Sequence, residues 1–254
     1  MAKQKGIVKL TGTIGDVSFY KSQDGFLARG KGGVDKSRIK NDPAFQRTRE
    51  NGQEFGRAAK AGKVLRTAFR ILIQNAKDRH VVGRMTKSML EIVKSDKSNL
   101  RGQRTVQTGN QSLLRGFDFN IGSPLGSTIY AGYSLAIDRA SGTVTITISE
   151  FIPDQILSFP SGATHFNLIS GVGAIDYSTE AFQVSIVKSA DIVIDNTPHE
   201  LLAQSHELNT NGEQDIYVVL GVEFVEVINE VSYPLKGGSN CLGIIAVDQY
   251  YQEE

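Results

Sequence analysis

The hydrophobic pattern of this chain changes from helical to β-strand spacing along its length. Between residues 55 and 72, apolar or small residues recur every three or four positions, which is typical of the packed face of a helix. These helix-packing positions are Phe55, Ala58, Gly62, Leu65, Phe69 and Leu72. Residues 143–148 instead alternate Thr with Val or Ile, which is typical of a strand with one buried face. The two patterns predict an α+β protein in which helices precede a sheet.

Two helices are expected before residue 100. Asp42 and Pro43 form a strong helix start, because Asp caps free amides and Pro at the first helical position has no amide hydrogen to lose. From there a helix is predicted to run to about Ala76, and a second one covers 81–97. Two such helices joined by a short polar link predict a helical hairpin.

A small β-meander is predicted in front of these helices. Residues 7–10, 16–21 and 26–29 have strand character, and Asp24-Gly25 supplies the positive φ of a tight hairpin. A ribbon of two or three strands is marginally stable by itself, so its apolar face needs a cover. The stretch 30–38, rich in glycine and charge, is expected to be a connector.

Beyond a polar segment at 99–116 the pattern is that of strands. Turn-prone stretches, including 209–212 and 237–240, separate strand candidates at 127–137, 143–148, 165–170, 183–187, 216–227, 231–235 and 242–247. Seven or so strands at this spacing predict an antiparallel β-sandwich. We therefore expect a hairpin-and-helix module at 1–105 and a sandwich domain at 106–254.

The two predicted modules carry opposite charge. Residues 1–105 contain 24 Lys+Arg and 9 Asp+Glu, a net charge of +15, whereas residues 106–254 contain 4 and 18, a net charge of −14. Their sum is the +1 of the whole chain. Folding alone does not require such a division, which indicates that each half meets an oppositely charged surface. On the predicted helix, basic residues lie opposite the packed face, and the candidates for contact with another copy or with phosphates are Arg47, Arg49, Arg57, Lys60, Lys63, Arg66 and Arg70.

The sequence contains no recognisable catalytic or metal-binding constellation. Of the four histidines, only His199 and His206 are close in sequence, and their separation matches no common zinc motif. Cys241 enters a predicted core strand, which favours a buried, inert thiol. We expect a protein without cofactor, metal, small-molecule substrate or enzymatic activity.

We expect no secretory signal, because the first residues lead into a short alternating stretch and not an apolar one, and no apolar run is long enough to span a membrane. We therefore expect synthesis in the cytoplasm, with release as an assembled particle left open. A single cysteine excludes an internal disulfide.

A distinctive set of residues comprises Gly12-x-Ile14-Gly15, Phe19-Tyr20-Lys21, Asp24-Gly25, Lys31-Gly32-Gly33, the run from Asp42-Pro43 to Glu54-Phe55, Gly162–Phe166 and Tyr233–Lys236. On these residues the chain resembles, along nearly its full length, an uncharacterised protein family of Bacteroidetes bacteria, and the N-terminal run is the most distinctive part. This resemblance implies no activity and no binding residues, because no function is assigned to that family.

Several functions remain open at this point. The basic module could dock on the acidic domain of another copy, producing a filament, ring or shell. Alternatively, the basic helices could bind nucleic acid, as in a virion-type packaging protein. Pairing of the two halves within one chain and an enzymatic role have less support. We favour the structural subunit, because the basic half has no Trp and few rings free for stacking on bases.

Overall fold

The computed structural model describes residues 1–30, 33–208, 214–235 and 238–250. Helices and antiparallel sheets both occur, which confirms the predicted α+β class. The chain divides into two compact units, Met1–Asn51 and Gly52–Glu254. The boundary predicted near residue 105 falls inside the second unit, because the helical residues share a hydrophobic core with the sheet. Several predicted features lie outside the described residues, namely Lys31, Gly32, the turn at 209–212, Lys236 and Gly237.

The first unit contains a four-stranded antiparallel sheet. Its strands are β1 (Ala2–Lys3), β2 (Gly12–Ile14), β3 (Val17–Ser22) and β4 (Gly25–Gly30), in the order β1-β4-β3-β2. The predicted meander is thus confirmed, with Gly25 at a φ of 106° in its hairpin turn. The strand predicted at 7–10 was wrong, because the side chain of Gln4 bonds to the backbone of Leu10 and closes a loop there.

Helices follow this sheet. Helix α1 is Lys36–Asn41, and a 3₁₀ turn at Pro43–Phe45 leads into α2 (Gln46–Ala68), which begins in the first unit and continues into the second. The carboxylate of Asp42 accepts a hydrogen bond from the amide of Ala44, which confirms its predicted capping role.

In the second unit α2 is followed by α3 (Arg70–Ile73) and α4 (Val81–Ser95). The predicted packing positions Ala58, Gly62, Leu65, Phe69 and Leu72 are buried. The prediction that Phe55 packs on this face was wrong, because 55% of its surface is exposed. At that turn the buried position is Glu54, which forms an ion pair with Arg104.

The remaining strands form two further sheets. They are β5 (Tyr133–Asp138), β6 (Thr143–Ile148), β7 (His165–Asp176), β8 (Ala181–Lys188), β9 (Ile192–Val193), β10 (Leu202–Glu207), β11 (Asp215–Ile228), β12 (Val231–Pro234) and β13 (Cys241–Asp248). Short helical segments lie at Gln111–Leu114, α5 (Leu125–Thr128) and α6 (Pro153–Ile156). The start of the strand predicted at 127–137 is therefore helical, and the extended segment begins at Tyr133.

The larger sheet has the order β12-β11-β7-β8, with β13 also pairing β11 and β9 pairing β7. The smaller sheet has the order β10-β6-β5. One face of the larger sheet packs on the helices, where Phe69 and Leu72 share a core with Ile169 and Val219. Its other face packs on the smaller sheet. The predicted sandwich is present, with a helical layer added on one side.

Strand β6 places Val144, Ile146 and Ile148 in the core between the sheets, while its threonines face outward. The strict alternation in the sequence therefore corresponds to one buried and one solvated face.

Candidate assembly surfaces

The basic residues predicted for contact with a partner are distributed over both units. In the first unit, Arg47 forms an ion pair of 3.0 Å with Glu50. Arg49 donates hydrogen bonds to the carbonyl oxygens of Ile39 and Asp42 at 2.8 and 2.9 Å. Both residues thus stabilise the segment around the start of α2.

Arg57 lies on α2 in the second unit and has a structural role. Its guanidinium donates to the carbonyl oxygens of Gly102 and of Arg104, the latter at 2.7 Å. The neighbouring carboxylate of Glu54 accepts from the Gly102 amide at 2.8 Å and from Arg104 Nε at 2.7 Å. Burial raises the pKa of Glu54, but the hydrogen bonds from Arg104 and Gly102 outweigh it and hold that pKa below its ordinary value. This network ties α2 to the loop around residue 102.

The other basic candidates differ in their surroundings. Lys60 Nζ lies 2.5 Å from a carboxylate oxygen of Glu180, so this lysine of α2 forms an ion pair with the turn between β7 and β8. Arg66 is half-buried, and burial lowers its pKa. Lys63 and Arg70 are exposed and form no ion pair with any residue that the structure describes. Of the basic residues predicted on this helix face, Lys63 and Arg70 therefore remain available to a partner, and Lys60 is exposed but paired with Glu180.

The sheet of the first unit has one apolar and one polar face. Strand pairing places Phe19 beside Ala28 and Ile14 beside Val17. Since side chains alternate between faces, the apolar face consists of Ala2, Ile14, Val17, Phe19, Phe26 and Ala28, with Lys21 over the ring of Phe26. The opposite face consists of Lys3, Thr13, Ser18, Tyr20, Leu27 and Arg29.

None of the described residues of Met1–Asn51 is buried. The apolar face defined above is exposed or half-buried throughout, and Ile14 is 61% exposed. In stable domains a sheet buries its apolar face against another layer. The apolar face of this sheet is thus a surface that a second polypeptide can cover.

A loop beside this sheet presents two aliphatic side chains. The Gln4 side-chain amide donates to the carbonyl oxygens of Leu10 and Leu27, and its oxygen accepts from the Leu10 amide at 2.8 Å. Lys9 Nζ donates to the carbonyl oxygen of Gly6 at 2.7 Å. These bonds close the Gln4–Leu10 loop. Its tip, formed by Ile7 and Val8, is almost entirely exposed, at 103% and 76% of the reference surface.

An open cavity of about 250 Å³ lies in the second unit between the start of β5 and the edge of β13. Most of its lining is apolar and comes from Leu125, Ile129, Tyr133, Ile244 and Ile245, with Gly126 at its rim. Asp118 and Arg115 are its charged members. Burial raises the pKa of Asp118, whose carboxylate accepts a hydrogen bond from the Leu125 amide at 2.8 Å. This apolar cavity is a second surface suited to an aliphatic side chain.

The side chains that could act as nucleophile or base, His206, Ser170 and Cys241, are buried in the core. His206 Nε2 lies 2.8 Å from Ser170 Oγ, and its Nδ1 lies 3.2 Å from Ser185 Oγ. His206 and Ser170 are fully buried between the sheets, so the serine has no access to a substrate. Cys241 is buried as predicted, and burial raises its pKa to about 12. These groups fill the core and do not form an accessible reaction centre.

Within the described part of the chain, no group of three His, Cys, Asp or Glu residues is placed to hold a metal ion. No helix among the described residues is long and apolar enough to cross a membrane. Searches with this chain gave no match to a protein-family model, to a curated protein or to a solved structure. The resemblance to a Bacteroidetes family stays a prediction.

Proposed function

We propose that this protein is a non-enzymatic structural subunit that associates with further copies of itself. The N-terminal unit of one copy docks on the sheet-bearing unit of the next. Because the two surfaces differ, the contact is heterologous and repeats into a ring, filament or shell.

The observation that carries this proposal is the uncovered sheet of the first unit. Its apolar face is built from six residues on four strands, yet no described residue of Met1–Asn51 is buried. Burial of apolar surface contributes roughly 25 cal/mol per Å², so an uncovered apolar face favours association. A partner that covers this face supplies the layer that the unit lacks.

Charge favours a second copy as that partner. Residues 1–51 contain 11 Lys+Arg and 5 Asp+Glu, a net charge of +6, whereas residues 52–254 contain 17 and 22, a net charge of −5. Opposite charges on the two units favour contact between unlike units and disfavour contact between like units. The charge division expected from the sequence persists between the structural units, although it is smaller than between the predicted modules.

The alternative function, nucleic-acid binding through the basic helices, has weaker support. Arg57 and Lys60 are engaged by protein oxygens, which leaves fewer cations of α2 for phosphates. Non-specific affinity for nucleic acid rises with the number of phosphate contacts, so the loss of these two cations lowers it.

The test compares two substitutions on opposite faces of β3. Phe19→Ser removes one of the two phenyl rings of the apolar face, whereas Tyr20→Ser changes the polar face of the same strand. Sedimentation velocity and electron microscopy of the wild-type chain are expected to show particles larger than a monomer at about 50 mM salt, with dissociation as salt screens the charges. Phe19→Ser should yield monomers, and Tyr20→Ser should still assemble.

Two outcomes would contradict the proposal. One is a wild-type chain that stays monomeric at every protein concentration and ionic strength. The other is copurifying nucleic acid, with high absorbance at 260 nm and particles that dissolve on nuclease treatment. The second outcome would favour the packaging function instead.

A further inference from the structure

Building on the proposed self-assembly, we propose that the Gln4–Leu10 loop of one copy inserts Ile7 and Val8 into the apolar cavity of the next copy. The cavity is the one lined by Leu125, Ile129, Tyr133, Ile244 and Ile245. The inference names the contact through which neighbouring subunits recognise each other.

The loop is preorganised for insertion. The side chain of Gln4 bonds to both the amide and the carbonyl oxygen of Leu10, and it also reaches the carbonyl oxygen of Leu27 at 3.0 Å on β4. The tip is therefore anchored to the sheet while its two aliphatic side chains remain in solvent. A preorganised loop loses little conformational entropy when it binds, so most of the gain from burial is kept as affinity.

The size of the cavity matches the loop tip. A cavity of about 150 Å³ lined by aliphatic and aromatic side chains holds a benzene molecule, so about 250 Å³ has room for the ends of two aliphatic side chains. A larger groove of about 480 Å³ lies nearby, but Ser134, Ser149 and Glu150 contribute polar groups to its lining. The smaller cavity therefore suits the aliphatic side chains of Ile7 and Val8 better, because more of its lining is apolar.

Charge around the two surfaces favours the same pairing. Lys5 and Lys9 flank the loop tip in the unit of net charge +6, and the cavity belongs to the unit of net charge −5. The cavity carries one acidic and one basic residue, Asp118 and Arg115, so its own lining opposes neither sign. Long-range attraction brings the unlike units together, and apolar fit selects the cavity.

Cysteine cross-linking between two variants tests this contact directly. One copy carries Val8→Cys, activated as a thiopyridyl disulfide, and the other carries Gly126→Cys at the rim of the cavity. A Cβ at Gly126 meets no atom within 4 Å, so the substitution fits. The native Cys241 is buried and its pKa is raised to about 12, so it does not compete. The matched control is Gly83→Cys, an exposed helical position that also has open space at its Cβ.

The expected result is thiopyridone release and heterodimer formation at least about tenfold faster with Gly126→Cys than with Gly83→Cys, since exchange rates follow access and proximity. Equal rates with the two partners would overturn the inference. Because the experiment detects pairs, it reads out the contact even where large particles do not form. It is thus separate from the sedimentation test of self-assembly.

A second measurement uses the unlabelled chain. Ile7→Ser is expected to weaken self-association by about 10- to 100-fold, which corresponds to the loss of one buried aliphatic side chain. Ile71→Ser is the control, because Ile71 is also an exposed isoleucine, at 68%, on α3. If the wild type assembles and Ile7→Ser assembles equally well, the loop contact is wrong while self-assembly through the apolar sheet face stands. If the wild type does not assemble and no heterodimer forms, both proposals fail.

Discussion

Phe69 lies directly on Gly173, with its ring against the backbone of β7. A Cβ added at Gly173 would come within 2.8 Å of Phe69 Cζ, and one added at Gly171 would come within 3.3 Å of Phe69 Cδ1. The absence of side chains at these two glycines thus makes room for the ring of Phe69, directly after the end of α2. The helical layer and the larger sheet meet at this point, so the contact holds the two layers of the second unit together.

We expect Gly173→Ala to destabilise the protein by about 1–3 kcal/mol, because the added methyl overpacks a site with no free space. Gly83→Ala is the matched control. Its Cβ meets no atom within 4 Å, and alanine in place of glycine inside a helix stabilises by up to about 1 kcal/mol. Urea unfolding of both variants measures the two changes. Opposite signs are expected, and an unchanged Gly173→Ala variant would show that Phe69 is not held against this strand.

Much of this fold could be predicted because apolar periodicity determines which face of an element is buried. Ala58, Leu65 and Leu72 are buried as their spacing predicts, and β6 alternates as Thr143–Ile148 does in the sequence. Strand β10 was missed because its inward residues include Gln204 and His206, which are polar but buried. Their hydrogen-bond partners lie on β7 and β8, which are distant in sequence, so no local pattern reveals the strand.

The candidate surfaces were less predictable. The sequence identified basic residues by type, but it could not show that Arg57 bonds to backbone carbonyls 45 or more residues away. The segment around Ile7 and Val8 has strand character in the sequence. It forms a loop in the structure because the side chain of Gln4 makes hydrogen bonds with the backbone of Leu10. In both cases the structure depends on which backbone group a single polar side chain bonds to. The amino-acid sequence does not identify that partner.

Arg104 is expected to be among the most sensitive polar residues. Arg104→Ala leaves the carboxylate of Glu54, 1% exposed, without its hydrogen-bonded charged partner, and such a loss typically destabilises by about 3–5 kcal/mol. Lys97→Ala, at an exposed position near the end of α4, should stay within about 0.5 kcal/mol. Urea unfolding at pH 7 makes the comparison. Similar values for the two variants would show that the ion pair has no structural weight.

The same pair has a pH signature. The pKa of Glu54 is held below its ordinary value in the folded chain, so its contribution to stability is present above the unfolded pKa of about 4.3 and is lost as pH falls through the folded pKa. In Arg104→Ala, burial dominates and the carboxyl prefers its neutral form. The stability difference between wild type and Arg104→Ala should therefore shrink as pH falls below about 4. A difference that stays constant with pH would contradict this assignment.

His206 should make the sandwich sensitive to mild acid. Burial lowers the pKa of His206, while a hydrogen bond to the backbone of Ser185 acts in the opposite direction. Its neutral form therefore contributes stability above the unfolded pKa of about 6.5, and this is lost as pH falls through the lower folded pKa. His206→Gln should flatten the pH dependence of Tm below about pH 6.5, because the variant has no buried imidazole to protonate. Parallel Tm profiles for wild type and His206→Gln would contradict this account.

Charge reversal on α2 should separate structural from surface cations. Arg57→Glu places a carboxylate against the carbonyl oxygens of Gly102 and Arg104, so it loses two hydrogen bonds and gains repulsion. We expect it to destabilise the monomer by about 2 kcal/mol or more, because each charged hydrogen bond contributes about 1.5–3 kcal/mol. Lys63→Glu changes an exposed side chain and should leave unfolding within about 0.5 kcal/mol, so any effect it has on particle size reports contact between copies. Thermal unfolding and sedimentation of both variants test this division. Equal stability of the two variants would mean that Arg57 is a surface cation after all.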